Sequence, residues 1–193
     1  VIWGVANQRS IAWAISERLA EAGAELAFTY LNERLKAPVE KATASLGNPM
    51  LLECDATDEA KVQSVYDRIQ NEWGEIDFIV HCIAYADRDD LGGNFSDTNL
   101  QGFRTALETS AYSLMPVVGK AAPLFGESGG SAITLTFDAS QRVYPGYNIM
   151  GTANNLECCP DEPQADVCFQ RRLYMGVYPM APLPAADHCI GCE

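Results

Sequence analysis

The sequence predicts an α/β fold built on a parallel sheet. Up to residue 154, short apolar runs alternate with segments of helical periodicity, the pattern of repeated βα units. The run Ile76, Phe78, Ile79, Val80 is continuous rather than alternating, as expected of a strand covered on both faces. The chain has 193 residues, 48% hydrophobic and 20% charged, enough to bury the core of one globular domain.

The elements follow in order. Val1-Ile2-Trp3 is a first strand that runs straight into a glycine turn, so short that a natural N-terminus is expected to extend further upstream. Ser10 occupies a helix N-cap position, and Ile11, Ile15 and Leu19 form the buried stripe of a helix that ends at Gly23. Ala24 to Tyr30 is the second strand, Asn32 to Leu46 a charged surface helix, and Met50 to Cys54 the third strand. Asp58 to Trp73 is a helix with Val62, Val65 and Ile69 on one face, and Ile76 to Cys82 is the fourth strand. A polar loop over Asp87 to Gly93 leads to a long helix from Asn99 to Phe125, in which Pro116 predicts a kink or break. Gly129-Gly130 ends it, Ser131 to Phe137 is the fifth strand, and a last helix runs from Gly146 to about Asn154.

Residues 155–193 differ in character. Cys158, Cys159, Cys168, Cys189 and Cys192 fall there, as do Pro160, Pro163, Pro179, Pro182 and Pro184, and neither helical nor strand periodicity is visible. The chain therefore divides into an α/β unit over 1–154 and an irregular tail over 155–193. A sheet that stops after strand five leaves an apolar edge unpaired. His188-Cys189-Ile190-Gly191-Cys192 with the upstream cysteines supplies soft ligands for zinc, but the spacings fit no common zinc module, and no metal is expected.

Charge excludes other classes. A formal charge of -13 leaves no basic excess to neutralise phosphates, so nucleic acid is not an expected partner. No apolar run approaches the about 20 residues that span a bilayer, and the first residues, Val1-Ile2-Trp3-Gly4-Val5, lack the charged region and cleavage site of a signal peptide. The expected location is the cytoplasm, or the plastid stroma in a eukaryote.

Chemistry concentrates at the strand ends. Gly4-Val5-Ala6-Asn7-Gln8-Arg9-Ser10-Ile11-Ala12 lies between the first strand and the first helix, where backbone can approach a pyrophosphate and place it on a helix N-terminus. Ala6 replaces the second glycine of the usual fingerprint, and the spacing alone suits a tight packing turn as well. Asp55 after strand three and Cys82-Ile83-Ala84 after strand four fall at the same carboxyl edge, where open α/β sheets hold ligands.

These segments, with Ala27-Phe28-Thr29-Tyr30, His81-Cys82-Ile83-Ala84-Tyr85-Ala86 and Tyr144-Pro145-Gly146-Tyr147-Asn148-Ile149-Met150-Gly151, resemble the enoyl-acyl-carrier-protein reductases of type II fatty acid synthesis. That family is a divergent branch of the short-chain dehydrogenases. The likeness covers residues 1–153. It implies a Rossmann-type doubly wound parallel sheet, incomplete at its C-terminal end, that uses NADH to reduce the trans-2 double bond of an enoyl thioester on acyl carrier protein. By matching position, Gly4, Ser10, Ile11, Leu31, Asp55, Ala56 and Ile83 would contact the cofactor, Ala86 the acyl substrate, and Tyr147 would be the catalytic tyrosine. Tyr30-Leu31-Asn32-Glu33-Arg34 carries both signs of charge and leaves NADPH open beside NADH. Relatives of this kind are homotetramers packed through the middle helices, which places an interface on 99–125. Arg34, Lys36, Arg88 and Arg104 are candidates for docking the acidic carrier protein.

Two departures bear on activity. Where the family carries the lysine that holds the nicotinamide ribose, this chain has Asn154, and where it carries a first tyrosine, this chain has Phe137. Tyr144 stands nearby as a substitute hydroxyl. The match ends abruptly at Asn154, as out-of-frame translation of the tail would produce. The alternatives to an impaired enzyme are a catalytically silent nucleotide-binding module and a non-functional fragment.

Overall fold

A computed structural model describes residues 1–127, 129–157, 168–169 and 173–180. The strands are β1 (Ile2–Trp3), β2 (Ala27–Tyr30), β3 (Met50–Glu53), β4 (Phe78–His81), β5 (Gly130–Phe137), β6 (Cys168–Phe169) and β7 (Leu173–Met180). The helices are α1 (Ile11–Glu21), α2 (Glu33–Thr43), α3 (Glu59–Trp73), α4 (Leu100–Leu107), α5 (Leu114–Ala121) and α6 (Ile149–Glu157). The sheet order is β3-β2-β1-β4-β5-β7-β6. β1 to β5 are all parallel. Strand order reverses at β1, so the crevice between the ends of β1 and β4 is the topological switch point where such sheets take ligands.

Consecutive residues of the central strands feed opposite layers. Trp3, Ala27 and Ile79 pack with Val62, Val65, Tyr66 and Ile69 of α3 and Val117 and Ala121 of α5. Ile2, Phe28 and Val80 pack with Ala12 and Trp13 of α1 and Val39 of α2. A sheet buried on both faces explains the continuous apolar run of β4. A third, smaller cluster joins Ala106 of α4 to Ile149, Met150 and Ala153 of α6.

Several boundaries differ from the expected ones for physical reasons. Ile11, expected in the buried stripe of α1, is 49% exposed, and Ala12, Trp13 and Ser16 are the buried residues of that helix. The long helix expected over 99–125 is two helices joined by a π-helical turn at Glu108–Tyr112. Pro116 lacks the N–H that would bond Tyr112, and the distortion therefore falls on the turn before the proline, where the Ser113 N–H reaches back to the Glu108 carbonyl at 3.0 Å. The edge of β5 expected to be unpaired is covered antiparallel by β7, with Gly130 opposite Met180 and Phe137 opposite Leu173. Periodicity missed β7 because Pro179 argues against a strand. Among the described residues β6 pairs only with Leu173 and Tyr174 and Pro179 pairs only with Ser131 of β5, an edge setting in which a missing N–H is tolerated. The proposed zinc ligands and the possible change of reading frame lie outside the described residues, apart from the backbone of Cys168.

Candidate active site

The carboxyl edge of the sheet is assembled from turns that fix one another. Gly4 leaves β1 at φ 98°, and a Cβ there would stand 2.2 Å from the Cys82 carbonyl oxygen, so only glycine lets the first turn close onto the end of β4. The Asn7 carbonyl accepts from the Ser10 hydroxyl at 2.6 Å and its Oδ1 accepts from the Arg9 N–H at 2.8 Å. Ser10 thus holds the N-cap position of α1 without capping it with its side chain. Its hydroxyl rigidifies the turn instead. Ile11 and Leu31, 49% and 48% exposed, present apolar surface beside that turn. On the next strand end, Asp55 Oδ1 accepts from the N–H and hydroxyl of Thr57 at 3.0 and 2.7 Å. Ala56, the next residue, is buried in the core.

These features fit a dinucleotide. A glycine turn without room for a Cβ, a helix N-terminus, a fixed carboxylate and two exposed aliphatic side chains lie along one edge, as a pyrophosphate with its sugars and rings requires.

The far end of the edge carries the candidate catalytic group. Tyr147 follows β5 and packs with Ala86 against the α4–α6 cluster, which brings the β4 loop and the tyrosine together. Its ring meets Phe137 edge-on with centroids 5.1 Å apart. Asn154, one helical face away on α6 and buried, donates through Nδ2 to the Met150 carbonyl at 2.6 Å and to the Tyr147 hydroxyl oxygen at 3.4 Å. Thr136 of β5 donates to the Asn154 carbonyl at 3.0 Å. The three positions Phe137, Tyr147 and Asn154 therefore converge. Tyr144, by contrast, packs on Phe137 and donates its hydroxyl to Asp138 at 2.6 Å. A cleft of about 670 Å³ opens beside them, lined by Gly93, Phe95, Tyr144, Tyr147, Asn148 and Thr152 among others.

Three supporting residues escaped the sequence reading because their partners are remote in the chain. Ser110, buried in the π-helical turn, accepts from the Tyr85 N–H at 2.9 Å and donates to the Tyr85 carbonyl at 3.0 Å, clamping the loop that carries Ile83 and Ala86. Asn148 adopts φ 44° and donates to the Gly92 carbonyl, tying the segment of Tyr147 to the glycine loop. His81 is buried with Nε2 2.9 Å from the Ser113 hydroxyl and Nδ1 3.4 Å from that of Thr134. Burial lowers its pKa to about 4, so it sits neutral in this network. Burial also pushes the Cys54 and Cys82 thiols up to about 12, which removes them as nucleophiles at neutral pH.

Comparison with known proteins agrees with this geometry. The family model described as enoyl-(acyl carrier protein) reductase matches residues 4–155. An NADH enoyl-acyl-carrier-protein reductase of Rhizobium meliloti is 44% identical over 153 residues, covering 79% of this chain and 56% of that protein. The Bacillus cereus enoyl-acyl carrier protein reductase solved with NADP+ and indole naphthyridinone superposes with a TM-score of 0.77 at 42% identity, covering 80% of this chain and 61% of that one. The Anaplasma phagocytophilum reductase solved with NAD gives 0.76 at 38% identity, over 80% and 60% of the two chains. The chain spans less than two thirds of the length of these relatives. With the glycine turn after β1, the sheet order and the tyrosine before α6 in place beside these matches, the chain belongs to the enoyl-acyl-carrier-protein reductase family.

Proposed function

We propose that this chain binds NADH and reduces the trans-2 double bond of an enoyl thioester carried on acyl carrier protein. The observation that carries the reading is Tyr147: it stands at the same sheet edge as the Gly4 turn, faces a cleft, and receives a hydrogen bond on its oxygen from Asn154. NADH is named for the R. meliloti relative, and NAD and NADP+ for the two solved structures, which supports a nicotinamide cofactor here.

The site residues divide the work. Gly4, the start of α1 behind Ser10 and Ile11, Leu31, Asp55, the Ala56 backbone and Ile83 would hold the cofactor along the edge. The cofactor supplies hydride when bound. As the β-carbon of the substrate is reduced, negative charge moves to the thioester oxygen, and a positioned hydroxyl stabilises it before a proton reaches the α-carbon. Tyr147 accepts from Asn154, so its own proton is turned outward to that oxygen. Ala86, packed against the same cluster as Tyr147, would border the acyl group. Asn154 gives direction but no charge, and Phe137 gives ring surface but no hydroxyl, so turnover slower than in a tyrosine–lysine site is expected.

Leu100, Phe103, Tyr112 and Met115 are exposed along α4, the π-helical turn and α5, which supports a homotetramer packed through these helices. Arg34, Arg88 and Arg104 remain candidates for carrier-protein docking; Lys36 already meets Glu33 at 3.6 Å. No helix among the described residues is long and apolar enough to cross a membrane, and a cytoplasmic enzyme is proposed. A shift of reading frame near residue 154 is proposed to account for the tail over 155–193, in which case another frame of the coding DNA spells a lysine near codon 154 and then resumes the helix. Mixing the protein with NADH and crotonyl thioester tests the activity: loss of reduced nicotinamide supports an enzyme, whereas binding without consumption supports the silent module that Phe137 and Asn154 would favour.

A further inference from the structure

The way the Asn154 amide is held decides what it can do beside Tyr147. The residue is only 6% exposed, and Nδ2 donates to the Met150 carbonyl at 2.6 Å and to the Tyr147 hydroxyl oxygen at 3.4 Å. An amide nitrogen has two protons, so both are used inside the protein. The amide oxygen is used as well. Thr136, also 6% exposed, shares its hydroxyl proton between the Asn154 carbonyl at 3.0 Å and Asn154 Oδ1 at 3.5 Å. Thr136 lies in β5 with Tyr174 of β7 opposite it, so the sheet fixes the backbone that carries this hydroxyl.

The two ends of the amide answer to different partners. The Met150 carbonyl decides which end is the nitrogen, because the reverse would set two acceptors against each other in a buried place. Thr136 decides where the amide lies. By engaging both the main-chain carbonyl and Oδ1 of one residue, it ties the side chain to the course of α6 and leaves the second N–H directed at Tyr147. A tyrosine that shares its proton with a developing enolate gains negative charge on its own oxygen, and a donor already fixed there needs no reorganisation at that moment. With no N–H left over, the amide does not hold the ribose of a cofactor, so the influence of Thr136 falls on the chemical step and not on NADH.

We propose that Thr136 is a positioning residue for the reduction, acting through Asn154: it holds the amide so that Nδ2 is presented to the Tyr147 hydroxyl oxygen. The proposal rests on the enoyl-thioester reading. It gives a strand residue outside the cleft lining a share in turnover, and it leaves cofactor binding to the Gly4 end of the edge.

The test is steady-state reduction of crotonyl-pantetheine by the whole protein, with NADH affinity titrated separately. Thr136→Val keeps the shape of the side chain and removes the hydroxyl; it should lower kcat by about tenfold and leave NADH affinity within about twofold, as loss of one buried hydrogen bond felt in the chemical step would. Thr136→Ser keeps the hydroxyl and should recover the rate to within about threefold of the unaltered protein. On an Asn154→Ala background, Thr136→Val should cost no further rate, because the residue through which it acts is gone. Isotope labelling of the asparagines gives a reading independent of turnover. The Asn154 amide protons, identified by their absence from Asn154→Ala, should exchange slowly with solvent in the unaltered protein and at least about tenfold faster in Thr136→Val. Fast exchange in the unaltered protein would overturn the proposal even if Thr136→Val failed to fold. So would an unchanged kcat in Thr136→Val, an equal loss in Thr136→Ser, an additive loss on the Asn154→Ala background, or NADH binding that weakens as much as the rate. Turnover by the unaltered protein separates the two ideas: a protein that reduces the thioester but ignores the Thr136→Val change refutes only this one, and a protein that reduces no thioester refutes both.

Discussion

Tyr147 accepts from an amide: Asn154 Nδ2 lies 3.4 Å from its oxygen, and that donor carries no charge. Asn154→Lys should therefore raise kcat for enoyl-thioester reduction by about tenfold or more, since a cation near a developing enolate lowers the barrier. Steady-state rates of the two proteins check it, and an unchanged or lower kcat in a folded variant would count against the assigned role. Gly4 is constrained more severely. Gly4→Ala would place a Cβ 2.2 Å from the Cys82 carbonyl at φ 98°, and should lower stability by about 2 kcal/mol or more while loosening NADH. Thermal melts and NADH titration measure both effects. At this scale the sequence named the positions but not their couplings: Gly4, Tyr147 and Asn154 were legible as a turn and a motif, whereas the bond from Asn154 to Tyr147 needs the actual course of α6.

The elements place these residues through contacts that the sequence does not advertise. Strand and helix positions of β1 to β5 and α1 to α3 follow from apolar periodicity, and the Asp58 cap of α3 accepts from the Ala60 and Lys61 amides as its position predicts. The π-helical turn is different. Pro116 signals a break but not its form, and the turn matters because it aims Ser110 at Tyr85 and Ser113 at His81. Ser110→Ala would strip both bonds from the backbone of half-exposed Tyr85, at a cost of about 1 kcal/mol for the lost hydrogen bonds. Hydrogen exchange at the Tyr85 amide should speed accordingly, and a rate equal to that of the unaltered protein would show that the clamp does not hold the β4 loop. Asn148 and its tie to Gly92 belong to the same class, invisible in sequence because the two residues lie in different loops.

For the whole molecule, the sheet order puts every candidate group on one edge, and the buried His81 network ties that edge to the helix layer. His81 is held neutral with a pKa of about 4 against an ordinary 6.5, so the unfolded chain takes up a proton that the folded chain refuses between those values. The stability it supports is complete above pH 6.5 and is lost as pH falls toward 4, by up to about 3 kcal/mol. Denaturation midpoints measured across that window should fall more steeply for the unaltered protein than for His81→Asn, and parallel curves would mean that the histidine does not titrate on unfolding. The fold class was readable because a two-faced sheet imposes continuous apolar strands; β7 was not, because its pairing with β5 depends on an edge position that tolerates Pro179. On the proposed function, this edge reduces an enoyl thioester through Tyr147. Mass analysis of crotonyl thioester incubated with NADH and either the unaltered protein or Tyr147→Phe tests it most directly. Saturated thioester is expected from the first and a yield at least about tenfold slower from the second; no saturated product from the unaltered protein, or equal yields from both, would show that Tyr147 does not carry the reduction.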